Sequence, residues 1–464
     1  MKSSRRASEP TTRPDHVSVT RRRRLHSPHR PQSLPSSKQR HSLQRTQTSR
    51  SPDGPPGQKQ RLLILGTGFA AFNLIKRLRR SYDITVISPR NHFLFTPLLP
   101  STTVGTIEFR SIIEPIRTAR RDVRFFDARA ISLDPVRRQV ICEGGISGER
   151  FAETFDLLVI AVGAVSNDFG VPGVKGHALF LRELNEARVL RQRIIQCFER
   201  AGLPGQSDEE RRRLLHFVVC GGGPTGVEFA AELHDLLVED LHRSYPSLMP
   251  YVQISLVEAS QGILNTFDAK LRKAAEALFR RERIRVLKGS PVVRVNRNTV
   301  TLKNGTSLSY GLLLWSTGNG PTPLAVNLRF QKTRFHRLIV DDHFRIPGTD
   351  GIYAIGDCAA IQNSPLPETA QVAQQEGKYL ARSLEDLARG VEPEPFQYRH
   401  LGMLAYVGGN RALADLQNFK GYGWVTWVFW RSVYLTRLVS VKNKILVLFD
   451  WAKAHIFGRD ISRF

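Results

Sequence analysis

The sequence predicts an α/β fold with two Rossmann-like dinucleotide-binding domains, followed by a C-terminal amphipathic helical region. Three observations predict it. A G-x-G-x-x-A turn beginning at Gly66 and a G-x-G-x-x-G turn beginning at Gly221 each sit between an apolar strand candidate and a helix candidate. Two further apolar runs, FDLLVIAVG at 155–163 and YGLLLWSTG at 310–318, each end in a small-residue turn, so the pattern occurs twice. A third apolar strand, in residues 351–357, ends in Gly356-Asp357.

At 464 residues and 41% hydrophobic content the chain can fill two or three cores. The exception is the first sixty residues, rich in Arg, Ser, Pro and Gln, with fourteen Lys and Arg against Glu9, Asp15 and Asp53. A basic, acid-poor leader of this kind resembles an organellar transit segment. Its prolines and the run from Arg21 to Arg24 fit a disordered basic tail instead; an apolar secretory core is missing. The formal charge of +26 suits a nucleic acid or an anionic membrane surface equally well. Cys142, Cys197, Cys220 and Cys358 are far apart, with no metal-ligand or redox spacing, and are expected to be buried apolar residues; no metal site is expected.

The first unit is RLLIL at 61–65, the glycine turn, a helix in which Phe69, Leu74 and Leu78 share a stripe, and a second strand at 83–88. Gly66 permits the tight turn, Gly68 lets a pyrophosphate approach the backbone, and Ala71 keeps the helix near the sheet. The amides around Phe69 and Ala70 face the phosphate. The second strand ends in Ser88-Pro89-Arg90 where a carboxylate for the adenosine ribose is usual. Serine can donate to a ribose hydroxyl, and Arg90 can meet phosphate or adenine or stand as a solvated charge. This departure speaks against NAD at the first site more than against FAD.

The second unit runs from LLHFVV at 214–219 through Gly221, Gly222, Gly223, Pro224, Thr225 and Gly226 into a helix marked by Phe229, Leu233 and Leu237. The next strand, 253–257, ends at Glu258, which can accept both hydroxyls of an adenosine ribose and repel a 2′-phosphate, favouring NADH over NADPH. Glu258 lies 32 residues beyond Gly226, and an inserted helix end and loop near 239–249 explains the interval. Lys303-Asn-Gly-Thr306 marks a hairpin turn.

The carboxylate of Asp357, at the end of a buried strand, requires a partner. A ribitol hydroxyl of FAD can be that partner, with Gly356 allowing close approach; the alternative is a cap on a following helix. Gly163, Gly318 and Asn319, in the two small-residue turns, join the candidate cofactor contacts. The expected order is a leader at 1–60, an FAD domain at 61–170, an inserted NADH domain at 171–319, the rest of the FAD domain at 320–391, and a membrane-association and dimerisation region at 392–464.

Several rarer motifs then resemble a type II NADH dehydrogenase, the single-subunit, rotenone-insensitive NADH:quinone oxidoreductase. They are SPRNHFLFTPLLPS from Ser88, GTIEFRSI from Gly105, LPETAQVAQQ from Leu366, and WRSVYLT and FGRDISR near the end. The resemblance covers the chain from Arg61 onward. It implies that Ser88 is usual, that Thr96, Pro97 and Leu98 line the flavin, that Asp357 binds FAD, and that Glu228 lies near the nicotinamide. It also implies that Gln371 and Gln375, four apart on one helical face, border the quinone pocket; without it they read as surface glutamines. A homodimer is expected. No EF-hand loop is present, so calcium regulation is not expected.

The expected reaction is hydride transfer from NADH to FAD and delivery of two electrons to ubiquinone or a related quinone, without proton pumping. Glu228 is expected either to stabilise charge on the nicotinamide or to pair with a nearby base. Residues 91–105 contain no cysteine, which argues against a disulfide reductase, and sulfide oxidation lacks partner cysteines for Cys358. No run of eighteen apolar residues occurs, so attachment to the membrane is expected to be monotopic. Trp424, Trp427, Phe429, Trp430, Tyr434, Leu438 and Trp451 would insert, and Arg431, Arg437, Lys442, Lys444 and Lys453 would meet headgroups; packing on the domain is the alternative. The expected place is the mitochondrial inner membrane, on either face, with a plastid left open. Nucleic acid is not expected as a partner, because the basic leader has no aromatic stacking platform. A reductase of a soluble protein acceptor is the second reading, and it would not need the Trp-rich tail.

Overall fold

Apolar runs that are buried on both faces belong in a parallel sheet covered by helices. In the computed structural model, which describes residues 59–462, Gln60–Leu65 (β1), helix Phe69–Arg77 (α1) and Tyr82–Ser88 (β2) form such a unit. The leader expected to be a targeting segment lies outside the described residues up to residue 58. Helix Leu99–Thr103 (α2) follows, then Arg124–Asp134 (β3), Gln139–Gly144 (β4), Arg150–Thr154 (β5) and Leu157–Ile160 (β6). The short strand Ala164–Ser166 (β7) leads away from this sheet.

Helix Leu184–Ala201 (α3) precedes a second βαβ unit: His216–Cys220 (β8), helix Pro224–Leu236 (α4) and Gln253–Val257 (β9). The helix continues past α4 through a π-helical turn, Leu237–Leu241, and ends near Ser244, which is the longer connection the spacing to Glu258 required. Helix Ala269–Arg281 (α5) and Arg285–Leu287 (β10) follow. Next come Val292–Val295 (β11), Thr299–Leu302 (β12) and Ser307–Ser309 (β13), an antiparallel meander with the expected turn after Leu302. Leu312–Trp315 (β14) completes the second sheet, and Asn319–Pro321 (β15) pairs antiparallel with β7. The chain therefore leaves and returns through one two-stranded ribbon. Ile352–Ala354 (β16) then re-enters the first sheet and helix Ala370–Leu387 (α6) covers it.

The first sheet has the order β16-β6-β1-β2-β3-β4-β5 and the second the order β10-β9-β8-β14. Both are parallel around the glycine turns, and the pairings correspond: Leu65 lies beside Ile87 and Ile160, Cys220 beside Val257 and Trp315. The repeated apolar runs are thus the same structural position used twice. Alternate residues of the second sheet face two cores, with Phe217, Val219, Leu312 and Leu314 on one side and Val218, Cys220, Leu313 and Trp315 on the other.

The chain ends in a three-stranded sheet, Met403–Gly408 (β17), Arg411–Leu416 (β18) and Phe419–Gly423 (β19), and two helices, Trp424–Arg437 (α7) and Val441–Phe457 (α8). No described helix is long and apolar enough to cross a membrane. The expected set of inserting residues needs correction. Trp430, Leu438 and Trp451 are buried, and Trp430 packs on Tyr406, Tyr434 and Trp451. Arg431 stacks over Trp427 and Trp451 at 4.0 and 4.6 Å, while Lys442 and Lys453 pair with Glu114 and Glu108.

Candidate active site

In a doubly wound sheet, ligands lie outside the carboxyl ends of the strands, where the connections diverge. The structure brings the first set of sequence candidates to such an edge. Ser88 ends β2, and Gly66, Gly163 and Gly356 follow its parallel companions β1, β6 and β16. Gly66 has φ +113°, and a methyl there would stand 2.2 Å from the Ala161 carbonyl oxygen, so only glycine makes this turn. A methyl at Gly68, by contrast, would meet nothing within 4 Å; the turn is open on the side a diphosphate would occupy.

Side chains cap α3, α5, α6 and α8, whereas α1 and α4 begin at Gly68 and Gly223 with no side-chain cap. The short α2 and the surface helix α7 also start bare. At α1 and α4 the free amides coincide with an open glycine turn at a sheet edge, an arrangement suited to phosphate. The residues present therefore fit a dinucleotide in each cradle.

Around the first turn, Thr67 lies 3.1 Å from the Ser88 hydroxyl and donates to the Arg90 carbonyl; Arg90 pairs with Glu183 at 2.9 Å, so it is not a solvated charge. Pro89 is exposed beside them. Asp357 does not cap a following helix: it lies within the short 3-10 turn Gly356–Cys358, and the strand Ala359–Ile361 comes next. Its partner is Arg182 at 3.1 Å, whose guanidinium also donates to the Asn319 side chain. Glu376, buried on α6, accepts the Gly356 N–H, and burial pushes its carboxyl up to about 7. Gly356 itself faces Ala70 in the first turn of α1. Thr96 and Pro97 are half-buried and Leu98 fully buried in the 3-10 turn before α2.

In the second cradle, a methyl at Gly221 would stand 2.1 Å from the Ser316 carbonyl oxygen and one at Gly226 would stand 2.0 Å from the Gly221 carbonyl oxygen. A methyl at Gly223 meets nothing within 4 Å, and Pro224 and Thr225 open the helix. Glu258 accepts the Gly222 N–H at 2.6 Å and the Ser260 N–H at 2.7 Å, so it shapes the turn as well as terminating β9. Glu258→Gln sets an amide against one of those N–H donors. The expected result is about a tenfold rise in KM for NADH and a smaller preference for NADH over NADPH. Unchanged KM values for both nucleotides would refute the assignment.

Glu228, on the buried face of α4, has no basic partner among the described residues; it accepts the Tyr406 N–H at 3.0 Å. Burial, with Glu232 nearby, pushes its carboxyl up to about 8, so at neutral pH it holds a proton and offers no negative charge. The folded state then binds more protons than the unfolded chain between the ordinary value of 4.5 and about 8. Stability contributed by this group is complete below that window and falls as pH rises through it. Glu228→Gln is therefore expected to reduce the fall in unfolding midpoint between pH 5 and 8, measured by thermal denaturation; an unaltered fall would contradict the assignment.

Gln371 and Gln375 share a face of α6, as their spacing implied, and both clamp the same extended segment. Gln371 exchanges hydrogen bonds with Leu401 and Gly402, and Gln375 with Arg399. That segment continues into β17, which carries Tyr406.

Several pairings were invisible in the sequence, although Ser101, Thr106 and Arg459 lie within the motifs that carry the resemblance. Glu232 accepts from Ser101 and Thr106 of the α2 region at 2.6 and 2.8 Å, and Arg459 is buried against Glu239 and Asp240. Their partners lie more than a hundred residues away, and no local spacing signals them. All four cysteines are buried and unpaired, with the Cys358 thiol pushed up to about 12 by burial.

Two glycine cradles, each at the carboxyl edge of its own parallel sheet and joined by a two-stranded ribbon, define an oxidoreductase of the two-dinucleotide-binding type. Residues 60–377 match the pyridine nucleotide-disulphide oxidoreductase family and residues 400–460 match the NDH2 C-terminal domain. The chain belongs to the type II NADH dehydrogenase family. It is 46% identical over 430 residues to a probable NADH dehydrogenase of Dictyostelium discoideum, covering 91% of this chain and 95% of that one. An internal alternative NAD(P)H-ubiquinone oxidoreductase A1, mitochondrial, of Solanum tuberosum is 40% identical over 88% of each chain. The structure of NDH2 from Plasmodium falciparum in complex with NADH superimposes with a TM-score of 0.84 at 27% identity, covering 87% of this chain and all of that one.

Proposed function

We propose that the protein is a non-proton-pumping NADH:quinone oxidoreductase that binds FAD and NADH and works on the mitochondrial membrane as a peripheral enzyme. The observation that carries this reading is the pair of bare, glycine-headed helices, α1 and α4, each at an open glycine turn of its own parallel sheet in one chain. FAD held in the first cradle would supply the redox chemistry, the uptake of a hydride from NADH and the delivery of two electrons to ubiquinone.

The chain's own residues bind and orient. Residues 61–170 and 320–391 form the FAD side, 171–319 the NADH side, and 392–464 the membrane side. Gly66, Gly68, Phe69, Ala70 and Ala71 hold one diphosphate, and Asp357, positioned by Arg182, meets the ribitol. Ser88 faces the adenosine ribose of FAD, and Glu258 that of NADH. Glu228 lies near the nicotinamide, and Gln371 and Gln375, which clamp the segment leading to Tyr406, border the quinone pocket.

Helix α8 supports the membrane reading because it leaves a stripe of large apolar side chains exposed. Its buried side carries Val447 and Trp451 together with Asn443 and Asp450, which are bonded to Ser111, Ile113 and Glu108, while Val441, Ile445, Leu448, Phe449, Ile456 and Phe457 are exposed. A helix anchored inward by hydrogen bonds that leaves so many large apolar side chains exposed is suited to meet an apolar phase. A homodimer would cover part of the same stripe, and crosslinking in detergent measures it.

The test is to compare NADH, NADPH and sulfide as donors to a short-chain ubiquinone in detergent. NADH is expected to be the preferred donor; flavin reduction without quinone turnover would favour a soluble acceptor.

A further inference from the structure

Between β7 and the second sheet, the chain presents Phe169 in an unusual way. The residue is 62% exposed, and its backbone lies in the left-handed region at φ +50°, where a bulky side chain is strained. The surrounding loop fixes this conformation. Asn167 Oδ1 accepts the Phe169 N–H at 2.8 Å, and the Asn167 carbonyl accepts the indole N–H of Trp315 at 2.9 Å. Asn167 N–H donates to the Gly318 carbonyl, and Asp168 pairs with Lys175. The ring tip lies against the Gly318 turn: a methyl on that glycine would stand 3.6 Å from Phe169 Cζ.

Gly318 follows β14, whose neighbour β8 carries the open turn of the second cradle. A dinucleotide placed with its adenosine at Glu258, beyond β9, and its diphosphate at the start of α4, above β8, extends its other half toward β14. That is where Phe169 stands. Strain and exposure of a large aromatic side chain both cost free energy in the free protein, and a stacking partner offsets them.

We propose that Phe169 is a binding residue for the nicotinamide riboside half of NADH, packing its ring on that half and shielding it from water. The proposal rests on the NADH reading of the second cradle. It is tested on flavin-loaded protein by titrating NAD⁺ and, separately, AMP into wild type, Phe169→Ala and Phe169→Tyr, using calorimetry.

Phe169→Ala is expected to weaken NAD⁺ binding about tenfold and to leave AMP binding unchanged, while Phe169→Tyr stays within about twofold of wild type for both. Unchanged NAD⁺ affinity in Phe169→Ala would overturn the proposal. So would an equal loss for AMP, which would mean that the ring only supports the loop. Wild-type protein that bound neither ligand would overturn the NADH reading itself, and the proposal with it.

Discussion

Gly377→Val is expected to yield protein that has lost most of its flavin. Helix α6 crosses α1 at this glycine, and a methyl there would stand 2.1 Å from the Ala70 carbonyl oxygen and 2.9 Å from its carbon. Neither atom belongs to a flexible side chain, so the helices must part. Overpacking of this kind costs about 1–3 kcal/mol or more. Ala70 is in the first turn of α1 and touches Gly356, so the displacement reaches both parts of the flavin cradle. Flavin absorbance per protein is expected to fall about tenfold and the unfolding midpoint by several degrees. Full flavin content would show that the cradle does not depend on this crossing.

The second large effect concerns α8. Replacing Ile445, Phe449, Ile456 and Phe457 together by glutamine removes most of the exposed apolar stripe without touching Asn443, Val447, Asp450 or Trp451 on its inner side. Each such side chain contributes up to about 1.5–3 kcal/mol when transferred fully from water. Even partial insertion of four makes a loss of about a hundredfold in liposome affinity the expected outcome. Flavin content and NADH oxidation by a water-soluble acceptor should persist. Unaltered liposome binding would move the membrane contact elsewhere. Truncation at Gly421 is a poorer test, because Asp450 and Arg459 anchor the tail to Ser111, Glu108, Glu239 and Asp240.

The cradles were legible from sequence because their constraints are local. A glycine forced because a methyl would stand about 2 Å from a carbonyl, followed by an apolar helix stripe and a strand, leaves its mark within about forty residues. The C-terminal helices were less legible for a physical reason. Aromatic content identified α7 as amphipathic, but periodicity cannot say which face packs inward, and Trp430 and Trp451 proved to be core. In α8 the usual pattern is mixed, since Asp450 and Asn443 lie inward beside Val447 and Trp451 while six large apolar residues face outward. Arg182, Glu376 and Gly377 act only across the fold, linking segments that no spacing rule connects.

The most direct measurement of two cooperating cradles is an anaerobic titration of the purified protein, following the visible absorbance of its flavin. Stoichiometric NADH is expected to bleach it fully, and stoichiometric short-chain ubiquinone to restore it. Protein that carries no flavin, or flavin that NADH leaves unbleached, would contradict the account.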